Sequence, residues 1–248
     1  MSRLAGVDAV TELIELEYPG ARVAFSTRRG GVSAGPYRSL NLGILTDDDT
    51  AQVRENRRRL AERAGLAAER VAMGWQVHGT AVREWSLPPL EGGYATPGAE
   101  LDRVDGHTTT MPELGMLVLG ADCMPVALVG AGRVAMLHCG WRGLTGGIVE
   151  RGVALFEEAP LAAIGPGIGP CCYEVGEEVL AAFSDLDGVA SGRMLDLKAV
   201  ARQKLDGAGA REVEDIGLCT SCLADLFFSH RRDGGVTGRQ GGLAWLTP

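Results

Sequence analysis

The middle of the chain holds a thiol and an imidazole that the sequence pattern brings together. Two apolar runs flank Gly130-Ala131-Gly132, which predicts buried strands joined in an antiparallel hairpin. Pairing about the centre of that turn places Met124 opposite His138, with Cys123 beside them at the open end of the hairpin. A cysteine next to a histidine is either a nucleophile with its base or a pair of metal ligands.

His78 is a candidate third member of this site, at the end of a further predicted strand in Trp75-Gln76-Val77-His78-Gly79. Three protein ligands of the His/Cys/His type leave one coordination position open, which is typical of a catalytic zinc site. Zinc in such a site lowers the pKa of bound water or polarises a substrate oxygen. The long separations along the chain leave three interpretations open: a zinc site, a Cys/His nucleophile dyad, and unrelated packing.

Copper is a competing metal, because two histidines, a cysteine and a nearby methionine form blue-copper centres and Met124 follows Cys123 directly. A multicopper oxidase needs a cluster ligated mainly by imidazole. The chain has four histidines, and the remaining two, His107 and His230, do not supply such a cluster. We interpret these two as surface or structural residues. The sequence therefore favours zinc over copper and argues against a true laccase.

Three polar residues are further candidates for chemistry. Asp122, beside Cys123, can orient an imidazole or act as a general base, although aspartates in turns often only cap backbone groups. Arg142 follows His138 closely, on a loop that begins the next predicted helix, and Arg57 falls within the apolar stripe of an earlier helix. A guanidinium binds phosphate in a bidentate manner, so both arginines are phosphate candidates. The alternatives are a surface ion pair for Arg142 and a buried ion pair for Arg57.

The remaining cysteines give weaker patterns. Cys219-Thr220-Ser221-Cys222 has the spacing of a redox or half-zinc motif, but no second C-x-x-C exists, and we interpret it as two buried or half-buried thiols. Cys171-Cys172 follows a Gly/Pro-rich loop that is more typical of a structural turn than of a phosphate-binding loop. Six cysteines in a chain of this length form no compact disulfide framework, which indicates a reducing cytoplasm.

Composition and charge limit the classes of partner. The 248 residues, 46% hydrophobic and 23% charged, suit one globular domain over residues 1–248 and exclude disorder and coiled coil. A net charge of −8 argues against general attraction to nucleic acid or anionic lipid. No apolar run approaches the ~18 residues of a membrane span, and residues 1–18 are acidic rather than signal-like. We expect a cytoplasmic protein that acts on small molecules, with its oligomeric state open.

The periodicity of apolar residues predicts the elements that position these side chains. Strands are predicted at residues 22–26, 71–77, 81–85, 114–119, 125–129, 133–138, 161–164 and 212–218, and helices at 47–65, 145–156, 176–183 and 197–208; residues 86–97 are expected to form a surface loop. Because strands and helices mix without the regular alternation of a doubly wound fold, we predict an α/β protein of α+β type, a single domain of mixed sheets flanked by helices.

Short segments spread over nearly the whole chain form a specific set: Thr27-Arg28-Arg29-Gly30-Gly31-Val32-Ser33, Ser39-Leu40-Asn41-Leu42-Gly43, Glu55-Asn56-Arg57, Gln76-Val77-His78-Gly79, Asp105-Gly106, Ala121-Asp122-Cys123, His138-Cys139-Gly140-Trp141-Arg142-Gly143, Ile168-Gly169-Pro170-Cys171-Cys172-Tyr173-Glu174-Val175 and Arg239-Gln240. Together they resemble the YfiH family, whose members are labelled laccase-domain or multicopper polyphenol oxidase proteins and were later recognised as purine nucleoside phosphorylases.

The resemblance implies a single α/β domain with mixed sheets and a zinc site made by His78, Cys123 and His138. It also implies phosphorolysis of adenosine, inosine and guanosine-type nucleosides to free base and ribose 1-phosphate, with adenosine deamination as a side activity. On this basis Arg57 and Arg142 are expected to bind phosphate, and Gln76 and Asn41 to contact the nucleoside.

Other activities stay open at this point. Some similar proteins edit cell-wall precursors as amidases, which would make Cys123 and His138 a hydrolytic dyad. A copper-dependent polyphenol oxidase and a non-catalytic zinc protein are further alternatives. The chain departs from the family pattern at Leu45-Thr46, at His107 and at His230, and these departures bear on substrate preference more than on fold.

Overall fold

The structure is a computed structural model that describes residues 11–43, 45–89, 93–97 and 100–248. Two sequence predictions fall partly outside this range: the acidic start of the chain, at residues 1–10, and residues 90–92 of the expected surface loop.

The described residues form two large β-sheets, a short hairpin and five α-helices. The strands are β1 (Leu13–Tyr18), β2 (Ala21–Ser26), β3 (Val71–Ala72), β4 (Val82–Trp85), β5 (Gly106–Thr109), β6 (Gly115–Gly120), β7 (Met124–Gly130), β8 (Arg133–Cys139), β9 (Leu161–Ile164), β10 (Ala190–Ser191), β11 (Met194–Leu195), β12 (Glu212–Asp215) and β13 (Gln240–Leu246). The helices are α1 (Thr50–Arg63), α2 (Trp141–Gly146), α3 (Ile148–Val153), α4 (Glu177–Ala181) and α5 (Leu197–Ala208).

Both large sheets are mixed. One has the order β1-β2-β13-β6-β3, antiparallel except for β3 beside β6. The other has the order β12-β9-β7-β8-β5-β4, with parallel pairs only at its two edges. The hairpin β10-β11 stands apart. The predicted class of mixed sheets flanked by helices is confirmed.

The two sheets pack face to face, and helices cover their outer faces. Ala127 and Met136 of the six-stranded sheet meet Val118 of the five-stranded sheet in a shared apolar core. Alternate residues point the other way, as strand geometry requires. Val126 therefore packs in a second cluster with α3 and α5, and a third cluster lies between α1 and the five-stranded sheet. None of the helices within the described residues has the length and apolar character needed to cross a bilayer.

Most predicted elements are present, with informative differences at their ends. Helix α5 has the predicted bounds, and α1 begins after Asp49, whose carboxylate accepts the backbone N–H groups of Ala51 and Gln52 as an N-cap. The helix predicted over residues 145–156 is instead the pair α2 and α3, because Gly147 adopts a left-handed conformation with φ of 90° between them. The prediction missed strands β1, β5 and β13.

The hairpin of β7 and β8 is confirmed, with a register one residue different from the prediction. The turn is the two-residue Ala131-Gly132, with Gly132 at φ of 70°, so Gly130 pairs with Arg133. Met124 therefore lies opposite Cys139, and Pro125 opposite His138. The ligand atoms of Cys123 and His138 nevertheless lie within 4.8 Å of each other.

His107 on β5 is a buried structural residue. Its Nδ1 accepts a hydrogen bond from Trp85 Nε1 at 3.1 Å, while its Nε2 has no partner within the described residues. Burial, together with the charge of Arg83, lowers the pKa of His107 to about 3. His107 therefore stays neutral in the folded protein until the pH falls to about 3.

This burial predicts a specific loss of stability in acid. The unfolded His107 takes up a proton near pH 6.5 and the folded one only near pH 3, so the unfolded state binds more protons in that window and stability falls as the pH falls through it. In His107→Asn, whose carbonyl can accept from Trp85, we expect the loss between pH 7 and pH 4 to be smaller by on the order of 3 kcal/mol. Urea unfolding of both proteins at the two pH values measures this, and equal losses would contradict the prediction.

Candidate active site

A cavity of about 400 Å³ lies where loops before and after the central strands meet. Its lining comes from many parts of the chain: Leu45, Thr46, Gly74, Gln76, His78, Leu119, Gly120, Ala121, Asp122, Cys123, His138, Ile168, Tyr173, Leu197, His230, Arg231 and Arg239. The volume is within the range of small-molecule sites. Two family departures noted in the sequence, Leu45-Thr46 and His230, lie in this wall.

The predicted His/Cys/His cluster is assembled in this cavity. One ligand atom each from His78, Cys123 and His138 lies within 4.8 Å of the others. Cys123 directly precedes β7 and His138 lies near the end of β8, so the hairpin brings them together. His78 comes from the loop between β3 and β4, and its ring centroid is 5.0 Å from that of His138. His138 is buried, Cys123 half-buried and His78 exposed.

Asp105 orients two of the three ligands, a role that the sequence analysis did not assign. Its Oδ1 is 2.9 Å from His138 Nδ1 and accepts the backbone N–H of His78. Its Oδ2 accepts the N–H groups of Val77 and Gly79. The left-handed conformation of His78, with φ of 59°, turns these successive N–H groups toward one carboxylate. Asp105 therefore fixes both the loop of His78 and the imidazole of His138.

These contacts keep Asp105 charged although it is fully buried. Burial raises the pKa of its carboxyl group, but the hydrogen bonds from His138 and from the backbone of Gly79 and Val77 outweigh this and hold it below the ordinary value. With His138 Nδ1 on Asp105, Nε2 is the nitrogen left to face Cys123. This is the arrangement in which a carboxylate orients a metal-bound histidine.

The thiol and the imidazole polarise each other. Burial raises the pKa of Cys123, but the facing imidazoles of His138 and His78 bring it down to about 6. Burial lowers the pKa of His138, whereas the Cys123 thiolate and the hydrogen bond to Asp105 raise it to about 9. The site therefore favours a thiolate at neutral pH, which is the form that acts as a nucleophile or as a metal ligand.

Two glycines make room for this cluster. A Cβ at Gly140 would lie 2.8 Å from Cys123 Sγ and 3.4 Å from His78 Cδ2. A Cβ at Gly120 would lie 2.5 Å from the carbonyl oxygen of Cys123. Any larger residue at either position would displace the cysteine.

Asp122 lines the cavity but does not contact an imidazole. Its Oδ1 accepts from the hydroxyl of Thr220 at 2.7 Å, and its Oδ2 accepts the backbone N–H of Arg231 at 2.7 Å. The predicted orienting role therefore belongs to Asp105, and Asp122 joins the loop before β7 to two loops of the cavity wall. Both carboxylate oxygens are engaged, so nothing in the geometry favours Asp122 as a general base.

The two residues expected to contact a nucleoside hold backbone instead. Gln76 lines the cavity, but its amide donates to the carbonyl of Leu119 at 2.6 Å and accepts the N–H of Leu119 at 2.7 Å. Asn41 is fully buried and does not line the cavity. Its Oδ1 accepts the backbone N–H groups of Gly43 and Arg239. Gln76 therefore holds Leu119 within the cavity wall, and Asn41 holds backbone outside the cavity lining.

The phosphate candidates Arg57 and Arg142 also lie outside the cavity lining. Arg57 faces inward as predicted, but its guanidinium donates to the carbonyl groups of Leu42 and Tyr94. These hydrogen bonds link α1 to two loops, and all three guanidinium nitrogens of Arg57 already donate to backbone carbonyls. Arg142 is exposed, with its guanidinium carbon 4.3 Å from the centre of the Trp141 ring. Tyr94 is buried, which corrects the expectation that residues 86–97 are all on the surface.

Two arginines line the cavity, Arg231 and Arg239, and the sequence analysis gave neither a role. Arg231 is exposed, and the more buried of the two is Arg239. Its Nη1 donates to the carbonyls of Thr237 and Gly238, while no described residue accepts from its Nε or Nη2. Burial lowers the pKa of Arg239, and the negative charges of Cys123 and Asp122, which line the same cavity, oppose this shift. Its only sequence signal was its place in the motif Arg239-Gln240 before β13.

The donor set fits a zinc ion. Two imidazoles and a thiolate are common zinc ligands, the three atoms are close enough to share one ion, and a carboxylate orients His138 from behind. All three residues line the cavity, so an ion held by them would be accessible to a ligand there. Met124, the possible axial ligand of a copper centre, packs in the apolar core and does not line the cavity.

Comparison with known proteins finds similar sequences over most of the chain. A family model described as multi-copper polyphenol oxidoreductase laccase matches residues 22–247. The chain is 38% identical to the purine nucleoside phosphorylase YfiH of Escherichia coli (strain K12), covering 96% of this chain and all of that protein. It is 40% identical to the purine nucleoside phosphorylase of Deinococcus radiodurans, over 87% of this chain and 85% of that one.

Solved structures show the same fold. The crystal structure of the hypothetical protein YfiH of Bacillus licheniformis superposes with a TM-score of 0.89 at 30% identity, covering 99% of this chain and 98% of the other. YlmD of Geobacillus stearothermophilus gives a TM-score of 0.85 at 33% identity, over 96% and 97%. Because sequence and fold agree over almost the whole length, the chain belongs to the YfiH family of laccase-domain proteins.

Proposed function

We propose that this protein is a zinc-dependent purine nucleoside phosphorylase, which cleaves nucleosides of the adenosine, inosine and guanosine type with phosphate. The observation that carries the proposal is the His78/Cys123/His138 cluster at a nucleoside-sized cavity that also exposes an arginine. The names of the curated relatives support the reaction class.

The residues that line the cavity offer chemistry suited to both substrates. Leu119, Ile168 and Tyr173 offer apolar and aromatic surface for a purine ring. Arg239 offers two guanidinium nitrogens, Nε and Nη2, that have no acceptor among the described residues and suit a phosphate dianion. Holding both substrates in one cavity places a phosphate oxygen for attack on the ribose C1′ while the purine leaves.

The buried residues keep this arrangement rigid and charged. Asp105 holds Nδ1 of His138, so Nε2 is the nitrogen available beside the Cys123 sulfur to bind a metal. Zinc bound there supplies a Lewis acid beside the substrate.

Arg239→Gln is expected to raise the KM for phosphate by about tenfold to a hundredfold with a smaller change in kcat, since it removes charge-assisted hydrogen bonds to phosphate. The matched control is Arg142→Ala, which removes a guanidinium outside the cavity lining and is expected to leave the phosphate KM unchanged. Initial rates at varied phosphate measure both. An unchanged phosphate KM in Arg239→Gln, or a raised phosphate KM in Arg142→Ala, would contradict the assignment of phosphate binding to Arg239.

The reaction itself is tested by release of free base from inosine, adenosine and guanosine by purified protein, with and without phosphate. Phosphate-dependent release supports phosphorolysis, and the same chromatogram reports any conversion of adenosine to inosine, the adenosine deaminase side activity. Release that is equally fast without phosphate would identify a nucleoside hydrolase instead.

A second candidate is an amidase that edits cytoplasmic peptidoglycan precursors. The observation that favours it is the chain of contacts Cys123–His138–Asp105, in which a thiol faces an imidazole whose other nitrogen is held by a carboxylate. Chelation distinguishes the two: a zinc-dependent phosphorylase loses activity when the metal is removed, whereas a thiol hydrolase retains activity on muramyl peptides.

A further inference from the structure

Four cysteines that the sequence analysis interpreted separately form one cluster. Cys171 and Cys172 lie in the loop after β9, and Cys219 and Cys222 in the loop after β12. Their four sulfur atoms lie within 4.8 Å of one another. Cys222 Sγ is 3.3 Å from that of Cys171 and 3.4 Å from that of Cys172. The second cysteine pair that the sequence pattern of Cys219-x-x-Cys222 lacks is supplied by the adjacent residues Cys171 and Cys172 on another loop. Cys222 is exposed, which corrects its interpretation as a buried or half-buried thiol.

The spacing of these sulfurs matches a single tetrahedral ion. Four thiolates bound to zinc at about 2.3 Å lie about 3.8 Å from one another. Three sulfurs would leave a coordination position open, but four close the shell, which is typical of structural rather than catalytic zinc. No substrate position is therefore expected at this cluster.

The backbone around the cluster suits charged sulfur. The N–H of Gly169 donates to Cys219 Sγ at 3.2 Å, and the backbone of Cys222 donates to the same sulfur. N–H groups directed at cysteine sulfur are the outer-shell contacts that support metal-bound thiolates. Neighbouring backbone bonds also fix the two loops to each other, from Gly167 N to Leu218 O and from Thr220 N to Gly167 O.

We propose that Cys171, Cys172, Cys219 and Cys222 bind a second zinc ion in a closed, structural site. The ion ties the loop after β9 to the loop after β12. Ile168 and Tyr173 on the first loop line the cavity, and Thr220 on the second donates to Asp122 beside Cys123. The second zinc therefore stabilises one wall of the cavity without touching a substrate.

Counting zinc per chain tests this proposal independently of any enzyme activity. Full-length protein is purified under reducing conditions and its zinc is measured by mass spectrometry. The set comprises wild type, Cys123→Ala, the pair Cys171→Ser with Cys222→Ser, the combination of all three, and Ser221→Ala as the matched control within the same loop. Cys171 and Cys222 are exposed, so serine at these positions leaves the apolar core intact.

We expect about two zinc ions per chain in wild type and Ser221→Ala, about one in Cys123→Ala and in the double serine variant, and none in the combination. Cobalt added to metal-free Cys123→Ala should give the intense thiolate-to-metal absorption of a four-sulfur site, which keeps the test valid even if the serine variants unfold. Unchanged zinc in the double serine variant, absence of cobalt absorption, or disulfide bonds among the four cysteines in the purified protein would overturn the proposal.

Discussion

Cys123→Ala is expected to lower the rate of phosphate-dependent base release on the order of a thousandfold or more, because it removes one of the three proposed zinc ligands and the thiolate charge that would hold the ion. The protein should also lose one zinc ion while remaining folded, since the smaller side chain fits the space. Steady-state rates with inosine and a zinc determination on the same sample measure both effects.

The matched control is Cys139→Ala, the same substitution at a fully buried cysteine outside the ligand set. It should keep its zinc and its activity, with only a modest loss of stability from the smaller side chain. If Cys123→Ala retained full activity, the cluster would not be the site of the reaction. If it lost activity but kept its zinc, the thiol would act as a nucleophile rather than as a ligand.

Asp105→Asn is expected to reduce metal affinity and activity by about tenfold to a hundredfold, the effect typical of removing a carboxylate that orients a metal-bound histidine. The substitution also puts an amide N–H₂ group where Oδ1 or Oδ2 now accepts hydrogen bonds from the backbone N–H groups of residues 77–79 and from His138. One of these N–H groups would then face the amide N–H₂ group of the new side chain in place of an acceptor. The loop of His78 should therefore become less well held, and the protein should lose stability.

Zinc titration against a competing chelator and thermal unfolding measure these two effects. Asp102→Asn is the matched control, since Asp102 is an exposed residue three positions earlier that pairs with Arg83. It should change neither metal affinity nor rate. Equal behaviour of the two variants would show that Asp105 does not position the ligands.

The sequence was sufficient to predict the residues of the cluster but not the contacts that orient them. The hairpin of β7 and β8 is local, so the turn glycines and the apolar runs indicated that Cys123 and His138 are neighbours despite an error of one residue in register. Helices α1 and α5 could be predicted from the sequence equally well, because their caps and apolar stripes are local signals.

Asp105 was missed because its position depends on a strand with little local signal. Strand β5 has the sequence Gly-His-Thr-Thr, and its burial comes entirely from its neighbours in the sheet. Once β5 pairs with β8 through Gly106 opposite Leu137, Asp105 lies beside His138. The pairing joins residues 25 to 31 positions apart, and the periodicity of apolar residues carries no information on such distant contacts.

Long-range contacts explain the other differences in the same way. Arg239 reaches the cavity because β13 inserts between β2 and β6, strands from distant parts of the sequence. The four cysteines meet because β12 pairs with β9 in parallel, which aligns the loops that follow the two strands. Arg57 was predicted to face inward correctly, but the carbonyl groups that bind it belong to loops without a sequence pattern.

The most direct test of phosphorolysis at this site is to follow inosine and phosphate by phosphorus NMR with the zinc-loaded protein. We predict a signal of ribose 1-phosphate that grows in step with hypoxanthine and is absent with Cys123→Ala. Hypoxanthine released together with free ribose, with the phosphate signal unchanged, would contradict the proposed reaction.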